Sequence, residues 1–356
     1  MTRRPDDGDR SDCRRGLINR ARAFPITIAA ILPVSVLQDD GNNNRALTAD
    51  RPDMLPKEPP RRPQLGFLYL PPYRVQGVSI AGEATAVQVP ELDIGFDIGE
   101  CPRAMLTSNL VAISHGHMDH IASLIYYFSQ RSFQGMGTGK VVCHPDLAEP
   151  IHNLMGALVD IERQRTPYEV VTMNPEEQIP LKGNVVLRAF STIHTVPSLG
   201  YSCVEMRSKL RADLVGMPQE QLMQLKDKGE EITEMHEIPQ VTYMGDTLWG
   251  KHFERPEVLD AKVLITECTF LEPGHRKRAG IGKHLHLDDI VQLLEMFRGE
   301  HVVLTHMSRR TNLSVVRKTL EKYVPASLRD KLHVLMDSRT NRARYEAQLA
   351  EAESRD

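Results

Sequence analysis

The sequence predicts an α/β fold in which sheets are covered by helices. Three observations lead there. Short β-branched strands dominate from about Leu65 onward, helices alternate with strands further along, and this strand-then-helix order occurs twice. No internal repeat of about 20–50 residues accompanies it.

The elements follow in order. GVSIAGEATAVQVP and ELDIGFDIG carry β-branched runs punctuated by Gly and Pro, as the hairpins of an antiparallel meander do. Asn109–Ser114 is a short strand of the buried type, and Ile121–Gln130 follows with helical apolar spacing. GKVVCH predicts a strand and LAEPIHNLMGALVDIERQ a helix. EVVTM, NVVLRAF, SLGYSCVEM, QVTYMGD and KVLITEC read as successive strands. Leu287–Gly299 predicts an amphipathic helix with Ile290, Leu293, Leu294 and Phe297 on one face and Asp288 or Asp289 as its cap. HVVLTH is a strand, LSVVRKTLEKYV a helix, and the charged segment past Asp337 a frayed helix.

Composition narrows the partners. With 44 basic and 47 acidic side chains the formal net charge is −3. That excludes a uniformly basic nucleic-acid binder and leaves the work to local clusters, at Arg207–Arg211, His275–Arg278 and Arg309–Arg310. Cys13, Cys101, Cys143, Cys203 and Cys268 are scattered with no C-x-x-C, which speaks for a reducing compartment and a cytoplasmic location.

The amino-terminal segment is set apart from the rest. A basic stretch, the apolar run Ala23–Gln38 and an Asp/Asn/Pro-rich stretch follow one another. The run falls short of the ~20 residues a membrane span needs, and Pro25 and Pro33 interrupt it, so no membrane partner is expected. Three readings stand: an export-like signal behind Arg14-Arg15, a disordered tail with a sticky segment, or translation starting at Met54. The expected division is a disordered or dispensable tail over 1–62 and one catalytic domain over 63–356, with room for a small arm or insertion at 206–240.

The chemistry concentrates in Ser114-His115-Gly116-His117-Met118-Asp119-His120, directly after a strand. Side-chain direction repeats every two residues in extended backbone, so His115 and His117 point the same way. Asp119 and His120 fall at the turn into a helix and face an adjacent point. One segment thus offers two ligands to each of two metals. Imidazole and carboxylate donors suit Zn2+, and Mn2+ or Fe2+ can substitute. His194, Asp246 and His306 each end an apolar strand, where ligands collect in layered α/β folds. One assignment gives the first metal His115, His117, His194 and Asp246. The second takes Asp119, His120, His306 and the same Asp246 as a bridge, with a shared water completing both.

This pattern resembles the metallo-β-lactamase fold, and within it the ribonuclease Z family, above all its short plant form. The likeness rests on eight motifs in order: YRVQGVSIAG (Tyr73–Gly82), FDIGECP (Phe96–Pro102), ISHGHMDHI (Ile113–Ile121), HTVPSLGY (His194–Tyr201), MGDT (Met244–Thr247), LITECTFL (Leu264–Leu271), GKHLHLDDI (Gly282–Ile290) and LTHMS (Leu304–Ser308). It implies a four-layer αββα sandwich and a zinc-dependent endoribonuclease that removes the 3′ trailer of precursor tRNA, commonly as a homodimer. It implies that Asp119 accepts the proton of the attacking water. His286 is then the proton donor to the leaving oxygen and Glu267 its acidic partner, with His284 as the other candidate donor. Thr247 is expected to hydrogen-bond the bridging carboxylate, and Ser198, Gly200, Tyr201 and Ser308 to support the site or contact phosphate. The chain departs from the family at Ser308-Arg309-Arg310-Thr311, where an aromatic residue is usual, and lacks the usual Gly-Pro-rich arm. Another hydrolase on the same scaffold, such as a cyclic-nucleotide phosphodiesterase, is the alternative reading.

Overall fold

The computed structural model describes residues 65–354, and the readings of the amino-terminal segment lie outside them. Two seven-stranded sheets form the frame. The first runs, in spatial order, β1 (Gly66–Leu70), β2 (Tyr73–Ile80), β3 (Ala84–Val89), β4 (Ile94–Phe96), β5 (Leu110–Ala112), β6 (Gly139–Cys143) and β7 (Tyr168–Thr172). Strands β1 to β4 pair antiparallel and β4 to β7 parallel. The single turn α1 (Met118–Ile121) follows β5, and α2 (Leu124–Phe133) and α3 (Pro145–Glu162) cover the outer face.

The second sheet repeats the plan. In chain order its strands are β8 (Gln178–Lys182), β9 (Val185–Ser191), β10 (Leu199–Leu210), β11 (Thr233–Tyr243), β12 (Val263–Glu267), β13 (His301–Thr305) and β14 (Leu332–Val334). Strands β8 to β11 are antiparallel and β11 to β14 parallel. Helix α4 (Gln219–Asp227) lies between β10 and β11, followed later by α5 (Pro256–Leu259), α6 (Arg276–Gly282), α7 (Leu287–Met296), α8 (Leu313–Tyr323), α9 (Ala326–Arg329) and α10 (Ser338–Glu353). Residues of α5, α7 and α8 pack on this sheet's outer face with Leu264, Val302 and Leu304. Between the sheets lies a dry core that includes Leu70, Val87, Phe96, Leu187, Tyr201, Tyr243 and Ile265. The layers are therefore helix, sheet, sheet, helix, as the sequence predicts. Among the described residues no helix is long and apolar enough to cross a membrane.

Four differences from the sequence reading have local causes. The helix expected over Ile121–Gln130 is two pieces, because the Ser123 N–H donates to Ile98 O at 2.9 Å and so leaves the helical ladder. Strand β8 was not expected. Pro180 speaks against a strand, but β8 is the sheet's edge and its register shifts at that proline, where a missing N–H is tolerated. The helix expected over Leu287–Gly299 ends at Met296 and is capped by His286, not by Asp288 or Asp289. Asp289 supplies the reciprocal half of the box, accepting from the His286 N–H at 2.8 Å.

The segment at 206–240 does project. Strand β10 pairs with β9 only as far as Glu205, while its pairing with β11 continues to Leu210↔Thr233. The ribbon beyond the sheet carries α4 at its far end, and α4 has no buried residue.

Arg131 anchors the approach to the functional edge. It is 2% exposed and lacks a carboxylate partner among the described residues. Its guanidinium donates to Leu106 O, Ser108 O, Asn109 Oδ1 and Met136 O at 2.5–2.9 Å, fixing the loop that enters β5. Arg131→Ala leaves those buried acceptors unpaired and is expected to cost at least ~3 kcal/mol, read from urea denaturation. A loss below about 1 kcal/mol would contradict this account.

Candidate metal centre

Strand direction brings the donors together. Because β4, β5, β11, β12 and β13 lie in the parallel halves, their carboxyl ends share one edge of the sandwich. Strand β9 is antiparallel to β10, which is antiparallel to β11, so β9 also ends there. The residues that follow these strands are Asp97, the segment Ser114–His120, Asp246 and His306. Glu267 closes β12, and His194 comes three residues after β9. Backbone strain marks the edge: Asp97 and His306 both adopt φ of +57°. Gly245, at φ +61°, precedes Asp246, and a Cβ there would sit 2.6 Å from Ser114 Cβ.

All seven residues read as ligands meet in two clusters. His115, His117 and His194 form one: His117 Nδ1 lies 3.0 Å from His115 Nε2 and 3.2 Å from His194 Nε2. Asp119, His120 and His306 form the other, with His306 Nε2 at 3.2 Å from Asp119 Oδ2 and 3.4 Å from His120 Nε2. Asp246 Oδ2 stands between them, 3.1 Å from His306 Nε2, 3.3 Å from His120 Nε2 and 3.9 Å from His115 Nε2.

The tautomers follow from what holds each ring. Asp97 Oδ2 accepts from His120 Nδ1 at 2.7 Å, from Ser114 Oγ at 2.8 Å and from the Tyr243 hydroxyl at 2.5 Å. Ser114 Oγ, its own proton given to Asp97, receives His115 Nδ1–H at 2.9 Å. Thr269 gives its hydroxyl proton to Glu267 Oε2 and so receives His306 Nδ1–H at 3.0 Å. His194 Nδ1 donates to Lys283 O at 3.1 Å. Each of these four rings therefore carries its proton on Nδ1 and turns a bare Nε2 lone pair toward the others.

Converging lone pairs beside a buried carboxylate repel unless a cation sits among them, so the donor set fits a divalent metal. The electrostatics agree. Burial and His120 push the His115 pKa down to about 2, and burial lowers His194 to about 4, so both stay neutral donors. Against burial, the Asp246 and Asp97 carboxylates raise the His120 pKa, so that ring turns a bare Nε2 to the centre only where a cation takes the place of its proton.

His284 and His286 part company here. His286 is buried at the start of α7. Its Nδ1 accepts from Asp288 N at 3.2 Å and its Nε2 donates to Glu272 O at 2.9 Å. The expected His286–Glu267 pair is therefore not formed, because the orphan N–H groups of the helix claim that ring. His284 takes the place instead: its Nδ1 lies 2.9 Å from Glu267 Oε1 and 3.8 Å from Asp246 Oδ2. Burial lowers its pKa, but the Glu267 hydrogen bond and charge outweigh this and raise it overall.

Thr247 also differs from expectation. Its hydroxyl meets His252 Nε2 and Ile193 N, while its N–H donates to Glu267 Oε1 at 2.8 Å, so it supports Glu267 rather than Asp246. Tyr201 is buried between the sheets with its hydroxyl on Ile113 O, away from any phosphate, and Ser198 accepts from Thr192. Asp97 was missed as a functional residue. Its signal was a carboxylate directly after the strand in FDIG, with no metal-ligand spacing to mark it.

A family model described as a beta-lactamase superfamily domain matches residues 101–307. The chain is 31% identical to the chloroplastic tRNase Z TRZ2 of Arabidopsis thaliana over 257 residues, 70% of this chain and 72% of that protein. It is 29% identical to tRNase Z TRZ1 of the same plant, over 71% of this chain and 91% of that protein. Among solved structures, the metallo-beta-lactamase fold protein YhfI of Bacillus subtilis aligns with a TM-score of 0.50 at 15% identity, over 76% of this chain and 95% of that one, a likeness of fold alone. Fold and donor set together define a metal-dependent hydrolase. Within that superfamily the chain belongs to the ribonuclease Z family.

Asp97 tethers both His120 and Ser114 and touches no substrate. Asp97→Ala is expected to weaken metal affinity about 10–100-fold, read by competition with a chelator. Unchanged affinity would remove Asp97 from the metal centre.

Proposed function

We propose that the chain is a zinc-dependent endoribonuclease that hydrolyses the phosphodiester at the 3′ end of precursor tRNA. The observation that carries the reading is the His284–Glu267 pair beside two donor clusters that share Asp246. A plain metal site has no need of a protonated imidazole held by a buried carboxylate, and cleavage with an alkoxide leaving group does. Kinship with proteins named tRNase Z supports the RNA substrate.

His115, His117, His194 and Asp246 would hold one zinc, and Asp119, His120, His306 and Asp246 the other. Two such ions, when bound, polarise a phosphoryl oxygen and make water acidic enough to ionise near neutral pH. The chain's own residues do the rest. Asp119 directs Oδ2 to Gly82 N at 2.8 Å and to His306, which leaves Oδ1 to accept the proton of the attacking water. His284, fixed through Nδ1 by Glu267, presents Nε2 to protonate the leaving 3′-oxygen. The products are a 3′-hydroxyl on the tRNA and a 5′-phosphate on the trailer. The ribbon at 206–240 would reach the body of the tRNA, although Arg207 and Arg211 are already paired with Glu205 and Asp213.

The reading includes a homodimer. Tyr126 and Phe133 of α2 and Leu154 and Ile161 of α3 are exposed on the outer layer, each pair seven residues apart on its helix, and a second copy would cover them. Phe133 is 84% exposed, so Phe133→Glu is expected to shift the protein toward monomer in sedimentation velocity without unfolding it. Wild type sedimenting as a monomer would remove this part of the reading.

The enzymatic test is cleavage of precursor tRNA carrying a 3′ extension. Discrete cut RNA is expected; turnover of a cyclic nucleotide with intact tRNA would instead favour a phosphodiesterase. His284→Ala is expected to slow cleavage about 10²–10⁴-fold while metal content is retained. His286→Ala is expected to leave the rate near wild type and to cost roughly 1 kcal/mol of stability as a lost cap. The reverse ranking of the two variants would return the proton-donor role to His286.

A further inference from the structure

We infer that a groove beside the metal centre, between α8 and the loop after β12, holds a base of the single-stranded 3′ trailer. The inference rests on the ribonuclease reading above and assigns the subsite occupied by the strand that keeps the 5′-phosphate.

Two chain segments run from the centre to this groove. Thr269 bonds His306 Nδ1 and Glu267, and two to four residues later Leu271, Glu272 and Pro273 form one wall. His306 directly follows β13, and the chain beyond it leads into α8, whose Val315, Lys318, Thr319, Lys322 and Tyr323 form the other wall. Positions 315, 319 and 322 fall on one face of that helix at spacings of four and three. Two residues of extended chain span at most about 7 Å, so the groove begins about one nucleotide beyond the cleaved bond, where the second trailer nucleotide and not the first can enter it.

The chemistry is that of a base subsite. The groove holds about 280 Å³, room for one unstacked nucleotide and not for a duplex. Its lining is mostly apolar. Val315 is 50% exposed and Tyr323 41% exposed, so both are open to a ligand. Lys322 Nζ lies 4.8 Å from the Tyr323 ring centroid. Lys318 and Lys322 have no carboxylate partner among the described residues, whereas Arg276 is held by Asp289 at 2.8 Å and Arg309 by Glu83 at 2.6 Å. An aromatic ring with two lysines that lack carboxylate partners, on an apolar floor, binds a single strand by stacking and backbone charge. The tRNA side of the bond is a duplex stem, so the strand that fits is the trailer.

The test compares precursor tRNAs with a one-nucleotide and a ten-nucleotide trailer. Tyr323→Ala is expected to raise KM about 10-fold for the long trailer and to leave the short one unchanged, with Tyr323→Phe restoring wild-type behaviour. The double variant Lys318→Ala, Lys322→Ala is expected to flatten the salt dependence of long-trailer binding, by about 0.7 in log–log slope per lost contact. Hydrolysis of bis(p-nitrophenyl) phosphate, too short to reach the groove, reports folding and metal loading throughout. Cleavage with the same KM for both trailers in wild type and Tyr323→Ala overturns the groove while leaving the ribonuclease reading in place. Wild-type protein that hydrolyses the small ester but leaves both tRNAs intact overturns the reading and the inference with it.

Discussion

The metal centre depends on four hydrogen bonds that fix imidazole protons on Nδ1. Asp97, Ser114, Thr269 and the Lys283 carbonyl each take one, and the four Nε2 lone pairs are left facing inward. Were any of these rings to flip its tautomer, an N–H would point into the place where a cation belongs. Asp97 stands first among them because it is the only one that reaches two donors, His120 directly and His115 through Ser114. It is buried and takes four hydrogen bonds from three residues, with Ser114 N at 2.6 Å as the fourth. A buried carboxylate must be paired to be tolerated, and here the pairing itself orients the ligands.

The fold makes such tethers possible by repeating one plan. Each sheet has an antiparallel half and a parallel half, and the parallel halves deliver strand ends to a shared edge. Asp97 and the His115 segment come from one sheet, Asp246, Glu267 and His306 from the other. The hydrogen bond from Tyr243 to Asp97 and the stacking of Tyr243 on Phe96, with centroids 4.8 Å apart, join the sheets directly beneath the donors. Core packing and ligand geometry are therefore one constraint. A shift of either sheet would open the distance between His115 and Asp246 before it opened a cavity.

Much of this was legible in the residues. The run from His115 to His120 is dense enough in donors, and close enough to a strand, to announce a metal site. Strand ends located His194, Asp246 and His306. The alternation of strands and helices gave the layers, while the edge strands β1, β8 and β14 escaped. Tethers are less visible, because Asp97 and Thr269 owe their roles to contacts across long sequence separations and a spacing rule sees only neighbours. The pairing of Glu267 with His286 rather than His284 was misread for a related reason. Counting back from the helix favoured the histidine nearest to it, yet the residue at the cap is the one the helix consumes. Lys283 turns the chain at φ +53° just before His284. That turn sets His284 toward Glu267, and no periodicity encodes it.

The near-neutral charge of the chain takes on meaning once pairing is known. Arg207, Arg211, Arg276 and Arg309, four of the cations in the sequence clusters, each hold a carboxylate of the same chain. Where both partners are exposed, as in Arg211–Asp213 and Arg309–Glu83, such pairs contribute little stability and are easily exchanged for phosphate. At the centre itself, ions held by the donor set would add a positive field. The clustered donors include two carboxylates, Asp119 and Asp246, so two divalent ions held there would leave a surplus of positive charge. A surplus confined to one point attracts a single phosphate and leaves the rest of a polyanion to shape. That combination suits an enzyme that must cut one bond in a long RNA and let both pieces go.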